Sequence, residues 1–126
     1  MFNNIIADSF SRIKNAQSSR NLETPIHFSK FMLEIMIILR NEGYIRGFSL
    51  EGKTIKVFLK YSKEQPTFSK VHLISKPSRR VYYNFSNLIK KNTQTGTFII
   101  STSQGLLSGT EALQKNLGGE VVCYII

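Results

Sequence analysis

At 126 residues the chain has room for one domain or for two very small lobes, and a third domain is excluded. Apolar residues make up 41%, with nine Phe and five Tyr, which is enough to bury a core and too much for a disordered basic tail. A formal charge of +9 calls for a polyanionic partner, nucleic acid ahead of an anionic membrane surface.

The charge is uneven. Residues 1–50 carry six Lys/Arg against four acids, 51–100 carry ten against two, and 101–126 carry one against two, so the middle of the chain is the electrostatic footprint. The single cysteine, Cys123, excludes an intramolecular disulfide, suits a reducing compartment and reads as a small hydrophobe in the apolar run 121–126. The longest apolar run, Phe31 to Leu39, is broken by Glu34 and is about half of the ~20 residues that a membrane span needs. The N-terminus shows neither a basic n-region nor an Arg-rich presequence, so a protein made where it works is expected. Fifteen Ile and nine Asn, with Lys well ahead of Arg, suggest AT-rich codons and hence an organellar gene or a low-GC bacterium.

In chain order, Ile5, Ile6, Phe10 and Ile13 recur at helical spacing and predict an amphipathic helix over Ile5–Ala16. Its polar face, with Arg12, Lys14 and Asn15, is either solvated or an RNA contact. Ser18 to Pro25 reads as a polar connector. Ser29 then caps a second helix from Lys30 to about Glu42, ended by Gly43. Residues 44–48 and 54–59 alternate around Glu51-Gly52 as a hairpin, with Lys53, Lys56 and Lys60 edging the sheet. Val71 to Ile74 reads as a third strand that closes an α-α-β-β-β lobe.

Lys76-Pro77-Ser78-Arg79-Arg80 is a cationic turn beside Val81-Tyr82-Tyr83. Guanidinium forks bridge phosphate oxygens and a neighbouring tyrosine stacks on an unpaired base, so basic residues interleaved with aromatics point to RNA. A solvated turn with core tyrosines is the alternative. Beyond it a second lobe is expected: a short helix near Ser86 to Lys91, a strand Thr97 to Ile100, a loop, a helix near Ser108 to Asn116, and a strand Val121 to Ile126. The fold class is thus α+β in two small lobes, 1–65 and 66–126, with the boundary somewhere within 61–78.

In the loop, Ser101-Thr102-Ser103-Gln104-Gly105 offers three hydroxyls, an amide and a glycine. Hydroxyls both donate and accept, so such a loop can grip phosphates, ribose and base edges without net positive charge; it can equally be a cluster of helix-capping serines.

This loop, followed by Gly118-Gly119-Glu120-Val121-Val122-Cys123-Tyr124-Ile125, resembles the C-terminal signature of the small-subunit ribosomal protein eight family. The resemblance extends upstream through Ile6 to Asn15, Ser29-Lys30, Asn41 to Ile45, Ser75-Lys76-Pro77 and Arg80-Val81-Tyr82, in the family's order. It implies an N-terminal α-β lobe and a C-terminal α+β lobe that binds a helix in the central domain of small-subunit ribosomal RNA. A role in subunit assembly and contacts with neighbouring small-subunit proteins are also implied.

Carried over by position, the RNA grip comprises Ser101, Thr102, Ser103, Gln104 and Gly105, with Glu120 hydrogen-bonding nearby and Tyr82 against the RNA. Lys76, Pro77, Arg79, Arg80, Ser29, Lys30, Arg12 and Asn15 add contacts. The family usually has a cation where Gln104 and Leu113 stand, so this site should depend more on shape and hydroxyls than on phosphate neutralisation.

Neither paired carboxylates nor a nucleophile beside a base can be found, so an enzyme is not expected. His27 and His72 lie far apart without a Cys or acid cluster, so no metal, cofactor or small-molecule substrate is expected either. Divergence from the bacterial pattern and low arginine favour a mitochondrial ribosome, in the matrix, with a plastid or a bacterial cytoplasm as the alternative. A regulatory RNA-binding module outside the ribosome is the rival function.

Overall fold

A computed structural model of the chain describes residues 2–62, 65–66, 71–74, 80–84, 86 and 96–125. It divides into two compact units, Met1–Phe68 and Ser69–Ile126, each built of helices on antiparallel strands in an α+β architecture.

The first unit contains α1 (Phe2–Ser18), β1 (Glu23–His27), α2 (Lys30–Asn41), β2 (Ile45–Glu51) and β3 (Thr54–Leu59), followed by a small hairpin of β4 (Tyr61–Ser62) and β5 (Gln65–Pro66). Helical spacing brings Ile6, Phe10 and Ile13 of α1 onto one buried face, and α2 buries Met32, Ile35, Met36, Ile38 and Leu39. Helix α1 packs on β1 and α2 on β2. The strands answer with Ile26, Ile45, Ile55, Val57 and Leu59, all buried, each aliphatic side chain contributing about 1.5–3 kcal/mol by leaving water. Hydrogen bonds from Gly43 N–H to the Arg40 carbonyl and from Tyr44 N–H to the Leu39 carbonyl close α2.

The order is α-β-α-β-β, not the α-α-β-β-β expected from sequence. Residues 23–27 form a strand at the sheet's edge, where Pro25 is tolerated because an edge strand has one unpaired side. The sheet order is β1-β3-β2, which corrects a second expectation: Lys56 stands on the central strand rather than at an edge. Its ammonium lies 3.2 Å from Glu23 and 3.8 Å from Glu51, and the hydrogen bond and charge of Glu23 hold its pKa above the ordinary lysine value.

The second unit contains β6 (Val71–Leu73), β7 (Tyr82–Tyr83), β8 (Thr97–Thr102), β9 (Gly105–Ser108), α3 (Gly109–Gln114) and β10 (Gly119–Ile125). The strand expected at 71–74 belongs here. It pairs with β10, Leu73 opposite Cys123 and Val71 opposite Ile125. The sheet runs β6-β10-β8-β9, with β7 joining the head of β10. Phe98, Ile100, Leu107 and Val121 bury one sheet face around Ala112 of α3, flanked by Tyr83 and Tyr124. The Phe98 ring sits 4.5 Å from that of Tyr124 and 6.1 Å from that of Tyr83, the latter edge-on. Most of the helix expected near Ser86 to Lys91 lies outside the described residues.

Cys123 is completely buried opposite Ile99, and loss of hydration pushes its thiol up to about 12. Burial disfavours the thiolate, so raising the pH from 7 to 9 should leave the native thiol unreactive toward a thiolate-specific disulfide reagent. One equivalent should react on denaturation. Rapid labelling of the native protein would mean that β10 opens.

Candidate nucleic-acid interface

The loop expected between Ile100 and Ser108 is a β-hairpin. Strand β8 continues through Ser101 and Thr102, Ser103 and Gln104 form the turn, and β9 returns with Thr102 opposite Gly105 and Ser101 opposite Leu106. Gly105 has φ +97 and open space where a Cβ would sit, so the site needs its left-handed backbone rather than its small size. The Thr102 hydroxyl fixes the turn from inside. It donates to the Gly105 carbonyl at 2.8 Å and accepts from the Gln104 N–H at 3.1 Å.

The capping alternative for this serine cluster fails on geometry. Helix α3 is capped by Ser108, whose buried Oγ accepts from the Glu111 N–H at 3.2 Å, with Glu111 in the first turn as a favourable acid. The hydroxyls of Ser101 and Ser103 are therefore not the caps. Ser103, Gln104 and Gly105 are exposed and Ser101 is half-buried.

Strand register gathers the remaining members. Glu120 at the head of β10 lies opposite Ser101 on one side and Tyr82 on the other. Residues directly opposite in antiparallel strands project from the same face, so Tyr82, Glu120, Ser101 and Leu106 form one row across four strands. Tyr82 is 65% exposed, an uncovered aromatic at the end of this row. The Glu120 carboxylate accepts from Arg80 Nη1 at 3.0 Å. The sheet closes here only because two glycines permit it. A Cβ on Gly119 would run into the Ser101 carbonyl oxygen, and one on Gly118 would lie 2.5 Å from the Tyr83 carbonyl oxygen.

Arg80 is thus the member of the cationic turn that the structure places, and Lys76, Pro77 and Arg79 lie outside the described residues. In the first unit, Asp8, Arg12 and Asn15 fall at i, i+4 and i+7 along α1, with Arg12 3.1 Å from Asp8 and Asn15 exposed. Ser29 and exposed Lys30 stand at the head of α2, where the Ser29 side chain accepts from the Met32 N–H at 3.0 Å. These residues occupy separate elements from the sheet row. The Arg80–Glu120 pair, 40 residues apart in sequence, and the close approach at Gly119 were not inferred from the sequence. Among the described residues no group of three His, Cys, Asp or Glu is placed to hold a metal.

The hydroxyl-bearing hairpin and the exposed tyrosine thus belong to one sheet of a strongly basic α+β chain. Residues 4–126 match the model of the family described as Ribosomal protein S8. The chain is 40% identical over 125 residues to small ribosomal subunit protein uS8 of Nitratidesulfovibrio vulgaris, covering 99% of each. It is 37% identical over 123 residues to uS8 of Buchnera aphidicola, 95% of each, and 38% identical over 131 residues to uS8 of Coprothermobacter proteolyticus, 99% of each. The chain belongs to the ribosomal protein S8 family.

The Ser29 bond to the helix makes a stability prediction. Ser29→Ala should lower the unfolding free energy by about 1 kcal/mol in urea melts. An unchanged midpoint would show that the cap is dispensable.

Proposed function

We propose that the chain is built into the small ribosomal subunit and binds its RNA through the sheet row and hairpin tip of the second unit. The observation that carries the reading is the row itself: an exposed aromatic, a carboxylate paired to arginine, a serine, and beyond them a turn with an exposed Ser103. Tyrosine stacks on an unpaired base, and hydroxyls bond ribose, phosphate and base edges. The chain is a structural constituent and not an enzyme, as membership of this family entails.

RNA binding is assigned to the lobe 66–126, with Arg12, Asn15, Ser29 and Lys30 of the lobe 1–65 adding backbone contacts. The RNA element is a helix of the central domain, and neighbouring small-subunit proteins complete the surroundings. A composition rich in Ile and Asn supports a mitochondrial ribosome, whereas the bacterial relatives support a bacterial cytoplasm. Imaging of the tagged protein decides between them. Co-sedimentation with small subunits in a cell extract tests the ribosomal assignment, and a protein found wholly away from them would instead be a free regulatory module.

The hairpin, residues 101–108, carries no charge. Affinity for small-subunit ribosomal RNA should therefore fall with salt at a slope of only a few counterions, at roughly 0.9 per phosphate contacted, and a slope near ten would refute a hydroxyl-led site. Ser103→Ala should cost about 1–3 kcal/mol of binding through unmade hydrogen bonds, with an unchanged thermal midpoint. Loss of both together would point to a structural serine.

A further inference from the structure

A carboxylate in an RNA-binding row is an electrostatic liability, and the geometry around Glu120 gives it a task. Arg80 Nη1 donates to Glu120 Oε2 at 3.0 Å, with the arginine side chain 38% exposed and the carboxylate 23% exposed. The contact uses one N–H of a guanidinium that carries five. The other donors of Arg80 meet no partner among the described residues. Arg80 also precedes the exposed Tyr82 by two residues, and Tyr82 stands directly opposite Glu120. Carboxylate, guanidinium and aromatic ring are therefore tied to one short stretch of paired backbone, anchored by the Val121 N–H to Val81 carbonyl hydrogen bond at 2.9 Å.

We propose that Glu120 serves RNA binding through Arg80, as a positioning residue that holds the guanidinium beside Tyr82 with its unused donors turned to an RNA phosphate, and does not itself contact a base. This deepens the reading above and rests on it. A free arginine side chain loses rotamer entropy when it binds a phosphate; one already held by a carboxylate has lost part of it beforehand. The planar fork suits the task, because one edge can stay on the carboxylate while another faces a phosphate.

The sign of one substitution separates this from simple electrostatics. Glu120→Gln keeps the shape and removes a negative charge, so if Glu120 only repelled RNA the variant would bind more tightly, with a steeper salt slope. Positioning demands the reverse. E120Q should bind full-length small-subunit ribosomal RNA, transcribed from the genome that encodes the chain, several-fold more weakly, with a salt slope lower by about one as the phosphate contact is lost. Arg80→Gln should lose about tenfold with the same drop in slope, and the double variant should match Arg80→Gln within about twofold, because the two residues act as a unit.

Filter binding over a salt series, with thermal melts to show that each variant is folded, measures all of this. Multiplicative losses in the double variant, or tighter binding by E120Q, overturn the inference while leaving the proposed function intact. A folded wild-type chain that fails to bind the transcript overturns both.

Discussion

The sheet row of the second unit hangs on how near the backbone of Gly119 comes to the Ser101 carbonyl. There β10 is flanked by β7 on one side and β8 on the other; a methyl group on Gly119 would strike β8, and one on Gly118 would strike Tyr83 and Asn84. Only with that approach do Tyr82, Glu120 and Ser101 share a row. The hairpin beyond it inherits its position from the same ladder, and Thr102 and Gly105 fix its bend. The paired glycines therefore shape the row, although neither presents a side chain to it.

Charge and recognition are divided within the molecule. The whole chain carries +9, yet the hairpin has no charged residue and Glu120 is matched by Arg80. Long-range attraction brings a polyanion near from any direction and tells one phosphate from another poorly, whereas hydroxyls and a tyrosine face act over a few ångströms and require a fitted shape. The open face of the first unit's sheet follows a similar rule, since Lys56 is shared between two glutamates and adds little free positive field.

How much of this could be read beforehand depended on the range of the interactions concerned. Helices α1 and α2 announce themselves because Ile6, Phe10 and Ile13, or Met32, Ile35, Met36 and Leu39, repeat at a period set by the helix alone, and Ser29 and Gly43 mark the ends of α2. The β2–β3 hairpin is equally local. Pro25 and the polar residues on its outer face hide strand β1, while Val71 to Ile74 reads as a strand without showing that its partner is β10. Alternation says that a segment is extended and not which partner it takes. The serine loop is legible through its resemblance to a family, but its hairpin form is not, because the four residues 105–108 are too short a run to show alternation, and only their pairing with 99–102 makes them a strand. Separation also concealed the ion pair of Arg80 with Glu120.

Strand β10 holds one residue more than its partner requires. Val121 lies opposite Ile100 and Cys123 opposite Ile99, so Val122 is the extra residue of a bulge. The bulge resets the alternation, which is how Val121 and Tyr124, three apart, both reach the same core face. Excising Val122 would consequently straighten the ladder and leave each neighbour with its present mate, and excising Val121 or Cys123 would do the same with Val122 taking over the vacated mate. The Val122 carbonyl does receive the Ile74 N–H at 3.1 Å, so a shortened chain would keep its central pairing and loosen its first strand's tether.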